Sequence, residues 1–284
     1  MKLMVGVLVV VAIIALWREA RKSSPAQSGE SAQHSPKSIQ LVSAQSAARR
    51  ALCLASLVLR AKAEYQLRPA PDDRPDTNST IDSELVAKQE TWMKQEGLWD
   101  AASPLERALM EKPLGSWTRQ EVADSRWREE ALAVLLWALE PGADLPPYDQ
   151  PAFNTNIMTS VPHPSESGEF INRAKLREPR EIAGARNAAE LWLWRARTTQ
   201  IQRENVKPPK GLTFEKIIAM TASKAQQTGL FRAIDNDFPA MNKSYAKLSE
   251  SEWQTMSSIS NERLYALNYL CGYAANWDEV PTGT

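Results

Sequence analysis

The stretch "WREEALAVLLWAL", residues 127–139, sets three charged residues directly before a run that carries none. On a helix, Glu130 shares a row with Trp127, Val134 and Trp137. A carboxylate placed this way is either held in an apolar site for acid–base chemistry or buried as a strut that fixes packing. An unpaired buried charge is too costly to keep, so either its pKa rises or a cation meets it. The segment "NERLYALNYLCGY", 261–273, offers the cation. There Arg263 shares a row with Leu267, Leu270 and Ala274, and Asn268 falls on the row of Leu264 and Cys271. Arg49 and Arg50, just ahead of "ALCLASLVL", are further candidates. Glu130, Arg263, Asn268 and Arg49 form the candidate polar cluster, open to reading as a buried ion-pair network or as the lining of a ligand pocket.

The remaining inventory narrows the chemistry. There are two cysteines and two histidines. Cys53 and Cys271 each lie among helical apolar residues and suit small buried hydrophobes, and their spacing marks no disulfide scaffold. His34 sits in a Ser/Gln/Pro-rich stretch and His163 in "VPHPS", neither with a second ligand at zinc spacing. The sequence has no phosphate-binding Walker loop, glycine-rich dinucleotide turn, HExxH, CxxC or GxSxG. No metal and no cofactor is expected, and Asp and Glu remain as the acid–base candidates. The segment "ELWLWRARTTQIQR" interleaves Trp192 and Trp194 with Arg195, Arg197 and Arg203, residue types that suit a base-stacking surface. Against that, 34 Lys+Arg balance 34 Asp+Glu, which argues against a nucleic-acid binder, and Trp194 and Arg197 are spaced to stack on each other.

These residues need elements to hold them. With 43% hydrophobic residues, only 11 glycines and long periodic runs, the composition predicts an all-α protein, a multi-helix array around the central apolar helix 127–139. Three helix starts carry a capping box: Ser103–Glu106 with Pro104 at the first helical position, Thr118–Glu121 and Ser249–Glu252. Further helices are expected within 40–65 and over 82–98, 180–203, 213–229 and 250–275. No strand alternation is evident. The stretch 140–168 holds six prolines and is longer than ordinary connections, which fits a lid, a binding loop, a partner surface or a covering loop.

At the N-terminus, an uncharged run from Leu3 to Trp17 is flanked by Lys2 and by Arg18, Arg21 and Lys22. As a helix the run spans roughly 22 Å, short of a hydrocarbon core of about 30 Å, a gap that snorkelling cations and local thinning can close. Residues 1–22 therefore read as a transmembrane anchor or uncleaved signal contacting the membrane through 3–17. Residues 23–38 read as a flexible tether, and 39–284 as a single α-helical domain. The cations that follow the run place the domain on the cytoplasmic side of an inner membrane. Signal cleavage would instead leave it periplasmic.

Four segments in order, "WDAASPLERAL" (99–109), "WREEALAVLLWAL" (127–139), "REPREIAGARNAAELWLWRAR" (177–197) and "NERLYALNYLCGYAANWDEVPTGT" (261–284), resemble the bacterial family catalogued as domain of unknown function 4272. The resemblance covers roughly residues 49–284 and implies a helical domain from a bacterium. It implies no reaction and assigns no catalytic residue. The expected function is a non-enzymatic interaction or accessory module at the membrane with a protein partner. The alternatives are a small-molecule-binding or hydrolytic enzyme built on a carboxylate pocket, and a protective partner that binds a toxin or envelope protein.

Overall fold

The computed structural model describes residues 40–68, 83–139, 144–208 and 210–283. The expected anchor, the tether and His34 lie outside the described residues, and among those described no helix is long and apolar enough to cross a membrane. Eight helices are described: α1 (Ala44–Gln66), α2 (Ser83–Gln95), α3 (Pro104–Met110), α4 (Arg119–Leu139), α5 (Ser167–Arg173), α6 (Pro179–Arg203), α7 (Phe214–Gln227) and α8 (Glu250–Leu270). The all-α expectation holds.

α4 lies at the centre, packed on α1 and on α8, while α8 packs in turn on α6. Every residue from Glu129 to Leu136 is buried, as the uncharged run requires. Fully burying a side chain such as Leu132 or Leu135, both wholly enclosed, is worth about 1.5–3 kcal/mol relative to leaving it in water. The facing side of α1 is rich in alanine (Ala47, Ala48, Ala51, Ala61), so the two helices can approach closely. A second cluster forms around Trp192 and Trp194 of α6 with Phe214, Phe238 and Tyr245, and Tyr148 packs against both clusters.

Helix ends follow local chemistry. All three expected capping boxes are present, at Ser103–Glu106, Thr118–Glu121 and Ser249–Glu252. α4 ends where Arg177 donates from its backbone N–H to the Ala138 carbonyl (2.9 Å) and from Nε to the Trp137 carbonyl (2.7 Å). The expected helices 82–98 and 250–275 stop earlier, at Gln95 and Leu270, because Gly97 (φ 65°) and Gly272 (φ 70°) turn the chain left-handed. At Gly272 the Tyr273 N–H returns to the Asn268 carbonyl and the Gly272 N–H to Tyr269, closing a Schellman motif.

The expectation of no strand needs one correction. Pro239–Ala240 and Lys243–Ser244 pair as a minimal antiparallel hairpin, turned by Met241 and Asn242, both at positive φ. Strands of two residues are too short to display any alternation. The stretch beyond residue 143 forms three short 3-10 turns leading into α5, the first two laid against α4.

A Cβ at Gly272 would sit 2.5 Å from the Gln40 carbonyl oxygen. Gly272→Ala therefore meets both a left-handed backbone and a backbone clash, and should lower unfolding free energy by about 2 kcal/mol or more. Denaturant unfolding measures it. A loss under about 0.5 kcal/mol, the range of neutral surface changes, would show that the N-terminal segment does not pack here.

Candidate functional site

The three charges that open the apolar stretch of α4 each find a different partner. Glu129 pairs with Lys62 of α1, Arg128 with Glu262 of α8 at 2.8 Å, and Glu130 with Arg263 of α8 at 2.9 Å. Glu130 and Arg263 are both fully enclosed. Arg263 Nε donates to one Glu130 carboxylate oxygen, and the other accepts the Ala152 N–H at 2.6 Å. The remaining Arg263 donors go to the carbonyls of Pro146, Pro147 (3.3 Å) and Gln150 (3.1 Å), and the guanidinium lies 4.9 Å over the Tyr148 ring. Burial pushes the Glu130 carboxyl above its ordinary range, outweighing the pull of Arg263 and the Ala152 N–H in the other direction.

This arrangement leaves Glu130 little access to a substrate. Both its oxygens are engaged, and the space of about 310 Å³ beneath the 144–160 segment is lined by Leu136, Trp137, Leu145 and Ile157 among others, not by Glu130 or Arg263. That segment is strapped onto the buried pair as a covering loop. Asn268 belongs elsewhere: it accepts from Arg186 Nε at 2.9 Å and donates to the Pro281 carbonyl at 2.7 Å, tying down the C-terminal segment. Arg49 is also apart, half-buried at a cleft between α1 and α3. Of the four residues grouped from sequence, the structure brings together only Glu130 and Arg263.

The neighbouring pair, Arg128–Glu262, is open. It forms part of a cleft of about 410 Å³ between α4, α6 and α8, where Asp124, Arg128, Arg197, Gln200, Asn261 and Glu262 present polar groups. Burial pushes the Glu262 carboxyl upward despite Arg128 beside it, and burial pulls the Arg197 guanidinium down. Trp127 lines the same cleft and meets Phe153 edge-on at 5.8 Å. Arg126 lies between Phe153 (5.8 Å) and Tyr65 (5.0 Å), two aromatics that are each 38% exposed. Neither Glu262 nor Arg128 was singled out from sequence, although the sign-reversed pattern of "WREE" and "NER" offered a signal. Arg128 and Glu130 of the first motif find their opposite charges in Glu262 and Arg263 of the second.

The remaining candidates take structural roles. Trp192 stacks on Tyr148 at 5.2 Å and Trp194 is buried, while Arg195 grips Asp237 with two bonds of 2.6 and 2.7 Å. Arg203 pairs with Glu250 and covers Trp253. Cys53 and Cys271 are free and buried, and burial raises the Cys53 thiol to about 11. His163 caps a 3-10 turn at the surface. Among the described residues no cluster of His, Cys, Asp and Glu could hold a metal ion.

Residues 25–221 match the family model described as Domain of unknown function (DUF4272), and the chain belongs to that family. The match begins earlier than the resemblance read from sequence and ends before α8, so "WREE" lies inside it and "NER" outside. No curated protein and no solved structure matches the chain.

Replacing Glu130 by Gln leaves Arg263 charged and enclosed without a counter-charge, which should cost about 3–5 kcal/mol in denaturant unfolding. An unchanged stability would contradict the strut assignment. Glu262 shares with Glu130 a carboxyl that burial raises, but it lies in the open cleft. Its folded pKa is raised, so its contribution to stability is full below the unfolded carboxyl value and falls as pH rises through the folded one. Glu262→Gln should therefore flatten the decline in stability as pH rises above the ordinary carboxyl range. A steeper decline in the variant would reverse that assignment.

Proposed function

We propose that this member of the DUF4272 family is a membrane-tethered interaction module that takes a polar segment of a partner protein into the α4–α6–α8 cleft. The observation that carries the reading is Trp127, which joins that cleft to the exposed Tyr65–Arg126–Phe153 stack. Tyr, Trp and Arg at the edge of a concave polar surface are the residues that concentrate binding energy in protein interfaces. Inside the cleft two guanidinium groups, Arg128 and Arg197, face two carboxylates, Asp124 and Glu262. That balance suits an amide-rich or zwitterionic peptide segment better than a highly charged ligand. The run Leu3–Trp17 with its following cations supports attachment to the inner membrane with the domain in the cytoplasm.

One observation favours the enzyme alternative: Glu262, rather than Glu130, is a carboxyl of raised pKa beside Asp124 in an open cleft. On that reading Glu262 is the general acid of a hydrolase.

A photo-crosslinking residue at Ser258, within the cleft, should give one discrete partner adduct in intact cells, and Trp127→Ala should reduce it about ten-fold. The same residue at Leu105, 70% exposed and not among the cleft lining, should give none. Equal adducts at both positions would end the interaction reading. For the tether, a C-terminal tag should resist protease in spheroplasts and be cut after lysis. Digestion in spheroplasts would place the domain in the periplasm.

A further inference from the structure

A second cleft, of about 440 Å³, lies where the start of α1, the segment leading into α3 and the chain after α8 meet. Arg49, Arg50 and Arg107 line it. Arg50 is 2% exposed and forms part of the wall. Its Nη1 donates to the Ala101 carbonyl at 3.2 Å, its Nη2 pairs with Glu106 at 2.5 Å, and the guanidinium lies 4.8 Å over Trp277. The buried Nε is left without a partner, an unusual and costly condition for a donor. Arg49 and Arg107 are half-buried, and neither side chain has a hydrogen bond or ion pair among the described residues. Asp100, exposed, is the one carboxylate among the lining residues. Glu106 neutralises Arg50 alone, so the lining keeps an excess of positive charge.

We propose that this cleft binds a phosphate group, held between Arg49 of α1 and Arg107 of α3, with Arg50 Nε as an inner donor. A planar guanidinium presents paired N–H donors that match phosphate oxygens. A tetrahedral oxyanion offers acceptors in several directions at once and can engage guanidinium groups arriving from separate helices. A single carboxylate plane cannot serve them equally.

The place of the cleft in the chain bears on the source of the phosphate. α1 begins at Ala44, and the segment leading into it is fixed by the Val42 N–H donating to the Leu270 carbonyl at 3.0 Å. The cleft thus sits beside the first described residues of the chain. A lipid headgroup reaches it only if the proposed membrane tether is right, whereas a free phosphomonoester needs no such premise.

The test uses the full chain in a neutral detergent and follows its thermal midpoint. Inorganic phosphate and dihexanoyl phosphatidic acid are the probes, with dihexanoyl phosphatidylcholine as the zwitterionic control. A saturable rise with phosphate and phosphatidic acid alike supports the site with free phosphate sufficient. A rise with phosphatidic acid alone supports it with a lipid as source. Arg49→Gln and Arg107→Gln should each weaken apparent affinity about ten-fold or more while leaving the probe-free midpoint unchanged. If either fails to fold, Arg49→Lys and Arg107→Lys replace them, since lysine keeps the charge but loses the paired donors and should weaken binding less. No saturable response, a response undiminished in the variants, or an equal response to phosphatidylcholine overturns the proposal. Binding in detergent is independent of membrane side, so a failed tag-accessibility result would leave this site standing.

Discussion

Enclosing the Glu130–Arg263 pair is the constraint that organises the rest of the molecule. Two charges taken wholly out of water must recover their hydration from neighbours, and the pair alone cannot supply enough hydrogen bonds. The carboxylate needs a second donor and the guanidinium several more acceptors. The segment after residue 143 provides them from its backbone: one N–H at Ala152 and carbonyls at Pro146, Pro147 and Gln150. Proline suits this duty because it presents a carbonyl with no N–H of its own to satisfy. The long, proline-rich segment thus has a physical reason to be irregular. A regular helix there would spend those carbonyls on itself.

The contrast between two adjacent ion pairs separates structural from functional chemistry. Glu130 and Arg263 are wholly enclosed, and Glu130 spends both its oxygens on fixed partners. Arg128 and Glu262 join the same two helices, yet their side chains remain 28% and 13% exposed on the wall of a cleft. The closed pair fixes how α4 and α8 face each other. The open pair then inherits a rigid mounting, which a recognition surface needs. A residue that looks most reactive in the sequence can in this way be the support of the group beside it.

What was legible in the sequence follows the range of the interaction. Capping boxes at Ser103, Thr118 and Ser249 span four residues each, and all three form. The central position of 127–139 follows from an uncharged run with no polar face to turn to water. The Glu130–Arg263 partnership is a longer reach, but two charges embedded in the most apolar helices have few other ways to be neutralised. Asn268 and Arg49 were grouped with them by row and proximity in sequence. Row membership leaves open how two helices are rotated about their axes, so Asn268 meets Arg186 and Arg49 faces a different cleft. The hairpin 239–244 and the carbonyl set on Arg263 rest on backbone geometry that no side-chain pattern encodes.

The interval matched by the family model ends at residue 221, while the physical unit cannot. A chain stopping there would keep Glu130, Arg128 and the apolar faces of α4 and α6 but lose α8, which packs against both helices. Glu130 would face an apolar surface without its cation, and the carbonyls of Pro146, Pro147 and Gln150 would lose their donor. Leaving one member of a buried ion pair uncompensated costs about as much as a small domain's whole margin of stability at its lower end. The matched region alone therefore lacks the cation that the Glu250–Leu270 helix brings to Glu130.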